Sequence, residues 1–243
     1  MVSKSQIKLI TSLEQKKNRV RHGLFTVEGI KGISELLNSH FELETLYTTD
    51  PGFTAEPFKT VIISETDLKK ISNLKTPPVA LGLFRIPKNK PPKIKGLCLA
   101  LDGIRDPGNL GTIIRLCDWF GIKELLCSPD TVDCYNPKVV QATMGSITRV
   151  NISYIDLQEI IAANRNLDIF GTFMEGEDIY RTNIPSQGIL ILGNEANGIS
   201  PIIEKLVTRK LSIPQFGNAG KTESHNVATA AAIFLSEFRR RDY

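Results

Sequence analysis

The chain has 243 residues, 41% of them hydrophobic, and 30 lysines and arginines against 26 acids give a formal net charge of +4. That apolar content can build a sizeable core, and no run of about 18 uncharged apolar residues offers a membrane span. The basic start MVSKSQIKLITSLEQKKNR has no apolar signal stretch, so a soluble cytoplasmic protein outside the membrane is expected. Cys98, Cys117, Cys127 and Cys134 show no C-x-x-C spacing, and His22, His40 and His225 are the only histidines. Zinc and a disulfide framework are therefore not expected, and no metal is assigned.

The first 22 residues hold Lys4, Lys8, Lys16, Lys17, Arg19 and Arg21 against Glu14 alone. Such a cluster either tracks a phosphate backbone by releasing its counterions or forms a solvated helix face, and charge patterning leaves both open. A helical pattern near Gly29 to Ser39 and β-like runs at KTVIIS and VALGLFRI then predict a small α/β domain over residues 1–86. The segment IPKNKPPKIKG, with three prolines, four lysines and no acid, predicts an exposed linker at 87–96 and a second domain over 97–243.

In that second part, apolar runs at GLCLALD, KELLCS, RVNISYI, LDIFGTF, GILILGN and KLSIP alternate with helical patterns. The alternation predicts a mostly parallel sheet with crossover helices, so ligands belong at the carboxyl ends of its strands. Three loops there stand out. In LDGIRDPGNLGTIIRLCDWFG, Leu110, Ile113, Ile114, Cys117 and Phe120 make an apolar helix face, with Arg115 beside it. An ion pair with Asp118 is the ordinary reading of Arg115. The stretch falls one glycine short of a dinucleotide fingerprint, because Asp106 stands where the first glycine is required.

The second loop, ILILGNEANGISPIIEKL, ends a strand at Gly193, and Ser200 with Pro201 reads as the start of a helix. Between them Glu195 sits among turn formers. The third, LSIPQFGNAGKTESHNVATAAAIFLSEF, contains GNAGKT, which is two residues too short for a P-loop. Beyond it Val227, Ala231, Phe234, Leu235 and Phe238 form the buried face of a final helix, with Ser224 and Asn226 at its start.

In order and content these loops resemble the three motifs of the SpoU family, the TrmH-like branch of the SPOUT RNA methyltransferases. The matching residues are Asn109-x-Gly111 followed by Arg115, then GNEANGIS, then Ile213-Pro214 leading to Ser224-x-Asn226, and the resemblance spans about Leu97 to Phe238. The stretch SLEQKKNRVRHGLFTVEGIKGISELL is similar to the L30e-like substrate-binding domain of several such enzymes, with Arg19, Phe25, Glu28 and Gly29 in order.

The resemblance implies an α/β SPOUT fold with a C-terminal trefoil knot. It implies a homodimer that transfers methyl from S-adenosylmethionine to a ribose 2′-hydroxyl of RNA, ribosomal ahead of transfer RNA. The alternative is a non-catalytic RNA-binding relative. Thr172, Gly193, Ile213 and His225 are the implied cofactor contacts, although His225 stands where the family usually has an apolar residue. Arg115, Asn109, Glu195, Ser224 and Asn226 are the implied catalytic residues, and Lys16, Lys17, Arg19 and Arg21 the implied RNA contacts. The family's proposed base is the residue matched by Arg115, but a guanidinium is a poor base, so a phosphate clamp is the expected role. The loop Asp106 to Gly111 is expected to face RNA and the partner subunit, and a fragment from Lys93 onward to fold alone.

Overall fold

The computed structural model describes residues 2–216 and 225–240. Its elements in chain order are α1 (Lys4–Ser12), α2 (Lys16–His22), β1 (Leu24–Glu28), α3 (Ile30–Leu37), β2 (Leu43–Thr48), β3 (Thr60–Ile62), α4 (Glu65–Ile71) and β4 (Ala80–Arg85). There follow β5 (Leu97–Asp102), α5 (Pro107–Trp119), β6 (Glu124–Cys127), α6 (Pro137–Thr143), β7 (Asn151–Tyr154), α7 (Leu157–Ala163), β8 (Ile169–Asp178), β9 (Gly188–Gly193), α8 (Pro201–Glu204), β10 (Arg209–Ser212) and α9 (Val227–Arg240). None of the described helices is long and apolar enough to cross a membrane.

The chain divides into two compact units, one of residues up to Asn89 with Asp133–Thr148, the other of Lys90–Val132 with Arg149 onward. The first boundary falls inside the proline-lysine segment. The insert 133–148 departs from the sequence division, which counts it with the second domain, and its side chains explain why. In α6, Val139 and Val140 are buried, and the helix packs on β1. The Tyr135 ring lies 4.8 Å from that of Phe25.

The first unit has a four-stranded sheet in the order β1-β4-β2-β3, with β4 antiparallel to both neighbours and β3 parallel to β2. Ser3 opens α1 with a capping box to Gln6, which satisfies donors the helix cannot. Gly23 ends α2 at φ 65°, a left-handed conformation that suits glycine. Ile10, Leu13, Leu24, Leu68, Ile71, Leu81 and Leu83 close one core between α1, α4 and the sheet.

In the second unit all six strands pair in parallel, in the order β10-β8-β9-β5-β6-β7. Each contains one of the six apolar runs, and β5, β6 and β9 are almost wholly buried, as strands covered on both faces must be. Leu110, Ile113, Ile114 and Cys117 are the buried side of α5. Val227, Ala231, Phe234, Leu235 and Phe238 are that of α9. Phe238 meets Phe170 edge-on at 5.2 Å. The four cysteines are buried and none is in a disulfide, and burial pushes the Cys98 and Cys117 thiols up, away from reactive thiolate.

One irregularity breaks the sheet. Lys210 pairs with Gly171 but Leu211 pairs with Glu177, so residues 172–176 loop out of β8 before the strand resumes. Gly176 makes the return possible, because a Cβ there would sit 2.7 Å from the Lys210 carbonyl oxygen. The GNAGKT stretch and Ser224 lie outside the described residues.

Candidate active site

The first two loops and Asn226 from the third meet beside the carboxyl ends of β5 and β9. Asp106 is the N-cap of α5, its carboxylate accepting the Asn109 N–H at 2.8 Å, with Pro107 in the first turn. This cap places Asn109 on the first turn, facing the loop after β9.

That second loop is tied down at both ends. Asn194 donates from Nδ2 to the Gly103 carbonyl at 2.6 Å, while its Oδ1 accepts the Ala196 and Asn197 N–H groups. The Ser200 N–H donates to Asp102 at 2.7 Å. Gly193 has no room for a side chain, since a Cβ would lie 2.2 Å from Gly198 C and Ile199 N. Glu195 is thereby held above α5, where it accepts a hydrogen bond from Asn109 Nδ2 at 2.9 Å.

Asn226 supplies the third arm. Its Oδ1 caps α9 by accepting the Ala228 and Thr229 N–H groups, and its Nδ2 donates to Asn109 Oδ1 at 2.9 Å. The order of donors and acceptors follows from the helix. Because the cap consumes the Asn226 oxygen, its NH2 must donate. Asn109 must then accept with its oxygen and donate with its nitrogen, which calls for an acceptor at Glu195. Three residues from three motifs form one polarised chain.

Arg115 projects from the exposed face of α5. Gly108, Thr112, Arg115 and Trp119 make an exposed stripe at helical spacing, with Trp119 83% exposed. Asp118 is not the partner of Arg115, because it pairs with Arg149 at 2.8 Å. Among the described residues Arg115 has no hydrogen bond or ion pair, and its guanidinium is available to a ligand.

The sequence matches the SpoU rRNA Methylase family over residues 96–236. The chain belongs to that family. Residues 4–82 match the MRM3-like substrate binding domain. A Bacillus subtilis protein named 23S rRNA (guanosine(2553)-2′-O)-methyltransferase RlmP is 29% identical over 238 residues, 93% of either chain. A structure described as a putative RNA methyltransferase of the TrmH family, from Porphyromonas gingivalis, is 38% identical, with TM-score 0.91 and 99% of each chain covered. An rRNA methyltransferase from Sinorhizobium meliloti, solved with AdoMet bound, is 28% identical, with TM-score 0.87 and 99% and 97% of the two chains covered.

Of the residues expected to contact the cofactor, Gly193 closes β9 and Ile213 follows β10, while Thr172 lies within β8 just past Gly171, where that strand's pairing with β9 stops. Thr172 is the first residue of the looped-out segment, and its hydroxyl donates to the Ile191 carbonyl at 3.1 Å. His225 is exposed, directly before the Asn226 cap. Asn194, Asp102 and Ser200, which join the first two loops, are not among the site residues expected from the sequence. Its one signal for them was the clustering of Asn and Gly after the strand.

In the first unit, Lys16, Lys17 and Arg21 are exposed on α2, but Arg19 is not an RNA contact. It is 2% exposed, paired with Asp133 at 2.5 Å, and its Nη1 donates to the Leu13 and Glu14 carbonyls at 2.8 Å. All of its directed donors point inward. Arg19 therefore clasps the insert to the end of α1.

Proposed function

We propose that this chain is an S-adenosylmethionine-dependent RNA 2′-O-methyltransferase acting on ribosomal RNA, ahead of transfer RNA, as a cytoplasmic homodimer. The observation that carries the reading is the Glu195–Asn109–Asn226 hydrogen-bonded chain on the same helix as an unpaired Arg115. The likeness to the Bacillus 23S rRNA 2′-O-methyltransferase supports the reaction, and that to the AdoMet-bound Sinorhizobium rRNA methyltransferase supports the cofactor.

The strand ends fit such a cofactor. Backbone groups of Gly193 and Ile213 lie at the ends of β9 and β10, with Thr172 of the intervening β8 just past its last pairing with β9, and the packed Asn194–Gly198 turn forms a wall that no side chain at Gly193 obstructs. When bound, S-adenosylmethionine supplies an electrophilic methyl group on a sulfonium. The protein has to bring a ribose 2′-hydroxyl in line with it, and positioning alone accounts for a large share of such a rate. Asn109 and Asn226 orient the ribose. Arg115 clamps the adjacent phosphate and steadies the oxygen as its proton leaves.

The exposed stripe ending at Trp119 gives α5 a face for RNA and the partner subunit. Residues 1–86 serve as the L30e-like RNA-binding domain, contacting the backbone through Lys16, Lys17 and Arg21 and joined by the 87–96 linker to the catalytic domain, 97–243 apart from the insert 133–148 that groups with the first unit.

Transfer of labelled methyl from S-adenosylmethionine to an unmodified large-subunit rRNA transcript tests the reading. Arg115→Ala should lose roughly 100-fold or more in turnover, as removal of a charge-stabilising group does, with cofactor affinity within a few fold. Wild-type protein that binds the cofactor and RNA without transfer would point to a non-catalytic relative.

A further inference from the structure

We propose that Arg105 is a second phosphate contact at the catalytic edge, gripping the RNA backbone beside the target nucleotide. The inference rests on the methyltransferase reading above and adds a substrate-positioning residue to it. Arg105 lies between β5 and α5, four residues before Asn109.

Its surroundings are fixed on both sides. The Gly103 N–H donates to Ser128 Oγ at 2.9 Å, and the Gly103 carbonyl accepts from Asn194 at 2.6 Å. Ile104 is fully buried, and its carbonyl accepts the Val132 N–H at 2.8 Å. On the other side Asp106 caps α5. From this pinned loop the Arg105 side chain emerges exposed, with no hydrogen bond or ion pair among the described residues.

A solvated surface arginine is the ordinary alternative, and two features weigh against it. Arg105 precedes the N-cap of a 13-residue helix, so its charge stands near the positive end of the helix dipole, where a cation is disfavoured. The neighbouring carboxylate offers little relief, since Asp106 is engaged as the cap. The guanidinium thus does nothing for the fold that a neutral side chain would not do better. An unpaired planar fork on a rigid loop, at the edge where Asn109, Glu195 and Asn226 meet, is suited to hold a phosphate bidentately.

The test compares wild type, Arg105→Ala, Arg105→Lys and Lys123→Ala on an unmodified large-subunit rRNA transcript, with thermal unfolding to confirm the fold. Lys123 is a charge-matched control, because it precedes β6 and lies at the amino end of the same parallel sheet. Arg105→Ala should raise the KM for RNA about tenfold, as loss of one charged hydrogen-bonded contact does, with kcat within twofold and unchanged affinity for S-adenosylmethionine. By filter binding, its slope of log affinity against log salt should be shallower by roughly 0.7 to 0.9, one phosphate contact. Arg105→Lys should restore the slope but only part of the KM, since lysine keeps the charge and not the fork. If Arg105→Ala matches Lys123→Ala in KM and slope, the proposal is wrong. It is equally wrong if cofactor affinity and kcat fall together, which is a structural effect. Absence of transfer by the wild type would overturn the methyltransferase reading instead, and the salt slopes, which need no turnover, still decide whether Arg105 grips RNA.

Discussion

Replacing Asn109 by Asp changes one atom in the polarised chain and should disable the site. The Asn109 nitrogen donates to Glu195 at 2.9 Å, so the substitution sets a carboxylate oxygen against a carboxylate oxygen. At that distance, in the water-like dielectric of an exposed pair, like charges repel by about 1.4 kcal/mol. The lost hydrogen bond adds about 1 kcal/mol. Together these disfavour the assembled arrangement by roughly 2.5 kcal/mol, or about 60-fold in the population that holds Glu195 over α5. Like-charge proximity raises the pKa of the introduced acid. Its deficit against wild type is therefore full at neutral and alkaline pH and shrinks as pH falls into the carboxylate range, where a shared proton restores the contact. Single-turnover methyl transfer between pH 5 and 9, with saturating cofactor, measures this. A variant with wild-type rates and a flat ratio to wild type across that range would show that the chain does not organise the site.

Gly193→Ala forces a Cβ to within 2.2 Å of the Gly198–Ile199 peptide, and overpacking of this kind costs about 1–3 kcal/mol or more; calorimetry should show weakened S-adenosylmethionine binding and a lower unfolding midpoint. The hydrogen bond from Arg209 holds the Glu177 carboxyl below its usual range, so Glu177→Gln should lower the midpoint at pH 7. Since a depressed acid loses its contribution as pH falls through its folded pKa, the gap to wild type should close in acid. A fragment beginning at Lys93 should not behave as an independent domain, because Val139, Val140 and Tyr135 lose Phe25 and β1 as packing partners. Its exposed apolar surface should bind a hydrophobic dye and promote association; a monodisperse fragment with full cofactor affinity would contradict the reasoning.

That last expectation reverses the one drawn from sequence, and the reason is physical. The apolar runs at β5, β6 and β9 report strands because burial on both faces leaves no alternation to misread, whereas β7, β8 and β10 are only partly buried and were found through shorter apolar stretches between helical patterns. Asn109, Glu195 and Asn226 were visible through the spacing of three motifs, though not the direction of the hydrogen bonds between them. Nothing local marks the insert as belonging with the first unit, since Arg19 and Asp133 are 114 residues apart. Charge counting likewise cannot separate Arg19 from Arg21. One turns inward because two carbonyls at the end of α1 lack helical partners and Asp133 completes its guanidinium, and those groups meet only in the folded chain. The loop at 172–176 was hidden for a similar reason, because a register shift is a property of two strands.

The bond from Asn226 to Asn109 spans 117 residues of chain. During synthesis the first motif therefore leaves the ribosome long before the amide that completes it exists, and contacts of such separation form late. A nascent or prematurely terminated chain that has already made Arg115 and Glu195 still lacks the cap of α9 and, with it, the partner that orients Asn109. The Glu195–Asn109–Asn226 chain is thus complete only once the sheet, the turn after β9 and the last helix have all assembled.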